Sequence, residues 1–459
     1  MSFALGKLGP RGELRRWYAS PGPLVVDHRE RPVRTVLIGL LAIAACGRDV
    51  AFVDPRAATE PGDTTNGNGG QQTVVRGNLD VTVTIAPEDS AIAQALGFPG
   101  LALVGATVTA RRLGQPLQEA ITDSAGRVTF EALVTGAWPI SAVRVLRAEE
   151  RAALPAGAED VAGFAGGGTA QVAESGSSFT VPVVLGRQGG VVIGEVFAPV
   201  YQVPSLFYYY TGGYLELYNN GFETIYLDQM VVGMLEYPAD NVRETCEQVA
   251  VHLEDPLGLW VRYFYRFPGS GREYPLAPST SAVVATDAID HRAFVSGLQD
   301  LSGASFEFLG SADVDNPAVP NMVDIGFLEY RAAVGHGLTI GQTVINVFLS
   351  APVDPDTLPQ YVSVFGHRFA RIPRGAVLDV FTSWPTPEVQ AAFPFLEWCP
   401  RMVNEVFDRE SAYLYDSRPF LSLRRRVLQV LRDGRIVLQR TGSSAADLEL
   451  AAPTPGSVP

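Results

Sequence analysis

The sequence predicts an all-β protein, and three observations carry that prediction. Its 46 glycines and 33 prolines punctuate the chain too often for long helices. Apolar residues recur with a period of two in one segment after another, the signature of strands with one buried face. Charged residues make up only 18% of the chain against 47% hydrophobic, so 459 residues can bury more than one core.

The chain opens on a segment of another kind. Residues 35–50 read "TVLIGLLAIAACGRDV", in which Val36–Ala45 is an apolar run of about ten residues. A membrane-spanning helix needs about 20. Arg29, Arg31 and Arg34 stand before the run and Ala44-Ala45 closes it, the pattern of a secretory signal. A buried apolar helix with an incidental cysteine is the competing reading. Ile43-Ala44-Ala45-Cys46 further resembles the bacterial lipobox, and the resemblance implies that Cys46 is diacylated and becomes the first residue after cleavage. Gly47 in place of Asp implies, by the same resemblance, the outer membrane. At about 0.8 kcal/mol per buried methylene, several acyl chains make a permanent anchor. Residues 1–28 are either an extended leader or lie upstream of a start near Val33 or Val36.

Net charge is −14, with +4 on residues 1–46 and −18 on the remainder. So acidic a chain argues against nucleic acid, whose phosphates are held by clustered cations. The basic cluster Arg424-Arg425-Arg426 sits between Leu423 and Val427 and reads as part of a strand or its edge rather than as an anion site. Lys7 is the only lysine, so Schiff-base and lysine-base chemistry are excluded from everything after it. With Cys46 set aside, Cys246 and Cys399 are left either to form a disulfide, as an exported chain permits, or to stay apart. Neither belongs to a CxxC or a metal-ligand spacing.

Residues 47–76 form a linker, in which "RAATEPGDTTNGNGGQQ" at 56–72 has no apolar period and serves as a flexible tether. Strands begin at residue 77. In "NLDVTVTI", Leu79, Val81, Val83 and Ile85 fall on one face, with Asp80, Thr82 and Thr84 on the other. "LVGATVTARR" continues the pattern. In "TDSAGRVTFEALVTGAW", Asp123 and Gly126 make a turn, and Phe130, Leu133 and Trp138 close the core. Ala152–Ser177, rich in Gly and Ala, is predicted to be a loop, and "SFTVPVVL" at 178–185 to be the final strand. The stretch 77–188 resembles the carboxypeptidase-regulatory-like and collagen-adhesin B-type modules at Gly105-Ala106, Asp123-Ser124-Ala125-Gly126, Phe130, Leu133 and Gly136. That resemblance implies a small β-sandwich of transthyretin-like or starch-binding-like topology, used as a stalk or binding unit. The lysine of the isopeptide bond that some of those modules form is absent.

The second region, 189–453, opens with "GGVVIGEVFAPV" and runs on to "GGYLELYNNGFETIYLDQMVVG". Leu215 and Leu217 share one face, and Tyr214, Glu216 and Tyr218 the other. Asn219-Asn220-Gly221 supplies turn chemistry, after which Ile225 and Leu227 alternate with Tyr226 and Asp228, so a hairpin is predicted. These residues, with Glu195-Val196, resemble the lamin-tail domain, an immunoglobulin-like sandwich. "YPLAPSTSAVVATDAIDH" (Tyr274–His291) matches a later strand of it, with Ser279 where that family has Gly after Pro. "SLRRRVL" and "LQRTGSSAADLEL" match its closing strand and tail through Ser443, Ser444, Ala445 and Asp447. Residues 292–420 extend the minimal sandwich as an insertion with further strands and short helices, and 454–459 form a tail. Leader and both β regions together resemble an uncharacterised family of bacterial surface lipoproteins, which implies a location and a fold rather than an activity.

Chemistry has few starting points. His252, His291, His336 and His367 are the histidines after the leader, and none sits in HExxH or a zinc spacing. Asp287, Asp290 and His291 are the tightest carboxylate–imidazole grouping and read as a polar strand end rather than a metal site. Asp313-Val314-Asp315-Asn316 resembles the first half of a calcium loop, making Asp313 and Asp315 calcium candidates, but the Gly and distal Glu of an EF-hand are missing. No GxSxG, P-loop or GxGxxG after a strand occurs, whereas a glycosidase would need only two of the many carboxylates. Aromatics are the better lead. "LFYYYTGGY" places Tyr208 and Tyr210 opposite Phe207 and Tyr209. "LWVRYFYRF" places Trp260, Arg262, Phe264 and Arg266 opposite Val261, Tyr263, Tyr265 and Phe267. Tyr208, Tyr210, Trp260 and Phe264 are therefore the candidate ligand-binding rings, with sheet packing as the competing reading. The expectation is a non-catalytic, lipid-anchored, outer-membrane or cell-surface protein that binds or scaffolds a surface protein or glycan, with calcium as its only candidate cofactor. A carbohydrate-binding protein and an extracytoplasmic hydrolase are the alternatives.

Overall fold

Alternation builds the first region. The computed structural model describes residues 74–98, 100–112, 114–199, 201–203, 206–209, 211–235, 255–308, 315–327, 346–362, 368–385, 403–414 and 420–457. In β1 (Arg76–Ile85), Leu79, Val81, Val83 and Ile85 are at most 1% exposed. This strand pairs antiparallel with β4 (Arg127–Val134) and parallel with β7 (Ser177–Arg187). The order continues from β7 through β6 (Val161–Val172), β5 (Gly136–Val145) and β2 (Thr107–Ala110) to β3 (Gln118–Ile121), wrapping one core that takes in Phe130, Leu133 and Trp138. Asp123 accepts the Ala125 and Arg127 N–H groups at 2.8 and 2.9 Å, and Gly126 takes the φ of +71° that this turn needs. Two short helices, α1 (Ser90–Ala95) and α2 (Ala148–Ala152), accompany the strands.

The predicted loop Ala152–Ser177 is corrected: its centre is β6, a strand of 12 residues between β5 and β7. Glycine disfavours strands in general, yet here backbone approaches too closely for anything larger. A Cβ on Gly166 would lie 2.1 Å from the Pro182 carbonyl oxygen. Ala162 and Ala165 of the same strand pack against Leu428 and Val437 of the second region.

The second region is layered. One sheet runs β18 (Phe306–Glu307), β17 (Ser281–Ala285), β11 (Tyr214–Asn219), β8 (Val191–Phe197), β25 (Ser422–Arg425), β28 (Leu448–Ala451). Another runs β19 (Val323–Asp324), β15 (Tyr263–Arg266), β13 (Val231–Met234), β20 (Asn346–Ser350), β23 (Val377–Pro385), β24 (Ala412–Leu414). Ile193, Val196, Leu215 and Leu217 of the first meet Val232, Val347, Leu349 and Phe381 of the second in the main core. Behind the second sheet, Val231, Phe264 and Phe348 pack on Leu259, Val261, Ala370 and Ile372. Those residues belong to a third sheet, β14 (Gly258–Val261), β22 (Arg368–Pro373) and β21 (Gln360–Val362). Two-stranded ribbons join β9 (Tyr201–Val203) to β10 (Leu206–Tyr209), β12 (Ile225–Tyr226) to β16 (Pro275–Leu276), and β26 (Val427–Val430) to β27 (Ile436–Leu438). Helix α3 (Ser444–Asp447) leads into β28, capped by the Ser443 hydroxyl, which accepts the Ala446 N–H. The stretch 292–420 thus supplies the interior strands β20 and β23, and residues 73–459 form one compact unit.

The predicted hairpin at Asn219-Asn220-Gly221 is also corrected. β11 pairs with β8 and β17, while β12 pairs with β16. The asparagines act as staples instead. The Asn219 amide donates to the Glu223 and Leu276 carbonyls, both at 2.8 Å. The Asn220 amide accepts from Leu438 N–H at 2.7 Å and donates to Leu438 C=O at 3.0 Å, imitating one rung of a sheet. Ser279 adopts φ +57°, so the turn keeps a glycine-like backbone with a serine in it.

"LWVRYFYRF" is likewise two strands in two sheets, broken at Arg262. That break reverses the predicted parity. Phe264 is fully buried with Leu259 and Val261, edge-on to Phe327 at 5.6 Å, and is core rather than a binding ring. The expectations for Cys46, Cys246, Cys399, Tyr210 and Asp313 lie outside the described residues, as does the side chain of Tyr208.

Candidate functional site

Three polar groupings and one aromatic row concentrate the side-chain chemistry of the described residues. The first grouping centres on Arg425, 2% exposed, whose guanidinium reaches Asp379 of β23 at 2.7 Å and Asp447 of α3 at 3.0 Å. Two further N–H groups go to the carbonyls of Ile193 and Gln439. Asp447 in turn accepts from the Thr441 N–H and hydroxyl. Nearby, Asp408 accepts from the Ser444 N–H at 2.8 Å and from the Thr382 hydroxyl, and burial pushes it up to about 7 despite those donors. Arg424 lies 3.5 Å from Glu449, and Arg426 donates to the Leu448 carbonyl. The triple arginine is spent inside the fold.

The second grouping lies on the face of the first six-stranded sheet that points away from the main core. Glu195 of β8 and Glu216 of β11 are direct cross-strand partners, 2% and 3% exposed. Residues 452–457 cross over them. Thr454 gives its N–H and hydroxyl to Glu195, both at 3.3 Å, and Gly456 N–H donates to Glu216 at 2.8 Å. The Ser422 hydroxyl also donates to Glu195. Burial, reinforced by Glu195, pushes the neighbouring Tyr214 hydroxyl upward.

In the third, His291 is fully buried. Its Nε2 lies 2.8 Å from the Asp287 carbonyl, which can only accept, so Nε2 carries the proton and Nδ1 accepts from the Tyr209 hydroxyl at 2.5 Å. Asp290 points elsewhere, paired with Arg292 at 2.7 Å and capping a single helical turn. The grouping Asp287, Asp290 and His291 is therefore not one site. Asp315 accepts from Asn321 at 2.7 Å, and no set of three or more His, Cys, Asp and Glu among the described residues is placed to hold a metal ion.

The aromatic row belongs to the three-stranded sheet. Trp260 on β14 stands opposite Arg371 on β22, whose guanidinium lies 5.7 Å from the indole centre. Tyr361 on β21 meets the same indole edge-on at 6.2 Å and leans on Phe369 at 6.4 Å. Asp255 pins both partners, accepting from the Trp260 N–H at 2.9 Å and from Arg371 at 3.3 Å. Burial works against its charge, but the Leu257 N–H, the indole and the guanidinium outweigh that and hold its carboxyl below the usual range. Trp260 and Tyr361 are half-buried, and Val362 beside them is 58% exposed.

No protein-family model and no curated protein matches the chain. Among solved structures, a DUF4876 family protein from Bacteroides thetaiotaomicron is 16% identical, covering 83% of this chain and 98% of its own, with a TM-score of 0.48. A DUF3823 family protein from Parabacteroides merdae is 6% identical over 44% of this chain and 78% of its own, at 0.15. BcpA, the major pilin subunit of Bacillus cereus, is 12% identical over 66% and 95%, also at 0.15. Superpositions this loose say nothing about function.

Of the candidate rings, then, Trp260 sits in a polar, half-buried setting and Phe264 does not. Tyr361 and Arg371, which meet the Trp260 ring, come from about a hundred residues further on, which is why the sequence does not reveal them. The Glu195–Glu216 pair is hidden in the sequence for another reason. Its signal was present, as single carboxylates inside the apolar strands "VVIGEVF" and "YLELYN", but only the pairing register brings them together. No helix among the described residues is long and apolar enough to cross a membrane.

Proposed function

We propose that the chain is a non-catalytic, lipid-anchored protein of the outer membrane or cell surface, whose layered sheets present a binding surface to a protein or glycan. One observation carries the binding reading. The clustered carboxylates and arginines are consumed in tying strands together, whereas the Trp260–Arg371–Tyr361 row is held in place by Asp255 and keeps part of its rings in solvent. Planar rings beside a fixed guanidinium and carboxylate suit sugar faces, so carbohydrate is the ligand class this row favours. The lipobox-like residues Ile43–Cys46 support the anchor.

Two experiments test the proposal. Cys46→Ser should release the protein from membranes and abolish labelling by a lipid precursor, and unchanged retention would refute the anchor. A glycan array probed with the native chain and with Trp260→Ala should show binding that the variant loses. An array on which the two behave alike removes the row from the function.

A further inference from the structure

We propose that residues 452–457 form a proton-dependent strap, closed on the outer face of the sheet while Glu216 holds a proton beside Glu195 and lifted when Glu216 is ionised. The geometry requires that proton. The two carboxylates are cross-strand neighbours, 2% and 3% exposed, and the strap seals them through the N–H groups of Thr454 and Gly456. One cation among the described residues faces them. Arg424 of β25 stands in register with Glu195, but it also lies 3.5 Å from Glu449 of β28, which takes a second arginine, Arg111, at 2.7 Å. Tyr214 on β11 adds a buried hydroxyl, and β17 adds Ser281 and Val283 without charge. Tyr209, the titratable residue of the adjoining apolar cluster beside Tyr214, bonds to His291.

A guanidinium shared with a third carboxylate cannot balance two buried negative charges. Burial pushes Glu216 up to about 7, with the Gly456 N–H opposing the shift and the Glu195 charge adding to it. Lifting the strap returns both groups to water and Glu216 to its ordinary value. By linkage, the lifted state then gains on the closed one as pH rises through the interval between the two, by roughly 300-fold in all.

Amide hydrogen exchange of Thr454 and Gly456 in the full chain, expressed relative to the intrinsic rate at each pH, tests this. Protection should fall roughly 100-fold between about pH 5 and pH 8 while amides of β7 stay protected. Glu216→Gln, isosteric and uncharged, should keep the strap protected at the higher pH. Glu195→Gln, which removes the like charge, should give a smaller fall than the native chain. Equal native protection at both ends of the range overturns the proposal. So does a fall in Glu216→Gln as large as the native one, or an undiminished fall in Glu195→Gln.

Discussion

In the first region β1 buries alternate residues and leaves Asp80 in water, whereas in the second region β8 and β11 bury every residue they contain. The difference follows from layering. A strand in a two-layer sandwich has one wet face, and its polar residues go there. A strand with packing on both faces must find partners for any polar residue inside it. The second region therefore concentrates buried charge, such as Arg425 with Asp379 and Asp447. The corresponding pair of the first region, Arg144 with Glu150 at 2.7 Å, sits at its margin, beside α2.

The largest expected effect breaks that buried network. Arg425→Met leaves Asp379 and Asp447 without their cation, and denaturant unfolding should register a loss of about 3–5 kcal/mol. Opening Phe264, in the core behind the second sheet, comes next. Phe264→Ala should cost about 3–5 kcal/mol by the same measurement, while Trp260→Ala on the neighbouring strand should cost clearly less because its ring is half in solvent.

These two variants also mark where the sequence was legible and where it was not. Alternation in "NLDVTVTI" identifies its buried face residue by residue, because one face of that strand is wet. In "LWVRYFYRF" the chain passes from one sheet to another at Arg262, so the alternation restarts there and Val261 shares its core with Phe264 rather than with Tyr263. The strand β6 was unreadable for a third reason: its glycines answer to the backbone of β7 across from them, a neighbour no local pattern encodes. The Asn-Asn-Gly turn failed similarly, since both asparagines serve distant carbonyls rather than their own loop.

pH should separate the two regions by sign. Hydrogen bonds from Arg144 hold Glu150 down to about 2, against its burial, so its contribution is complete above the ordinary carboxylate range and lost as pH falls through 2. Glu216 and Asp408, both raised to about 7, act oppositely. The folded chain keeps protons that the unfolded chain has released, so stability declines as pH rises from the ordinary carboxylate range to about 7 and is flat above it. Melting temperatures across pH should show both limbs, with Glu150→Gln flattening the acid one and Glu216→Gln weakening the other.

The smallest effect runs the other way. Ser279 holds φ +57° without being glycine. Ser279→Gly should raise stability by about 1 kcal/mol, read as a rise in melting temperature, by relieving the left-handed strain.

Asn220 stands before Gly221, the dipeptide in which asparagine ages fastest, because the following amide nitrogen can attack the side-chain carbonyl and close a succinimide. Here that nitrogen donates to Asn219 at 2.9 Å, and both ends of the Asn220 amide are held by Leu438. The nucleophile is engaged and its target is clamped. A contact that stands in for a missing rung of a sheet thus also fixes the chemical lifetime of the site, so that the folded chain keeps the amide with which it was made.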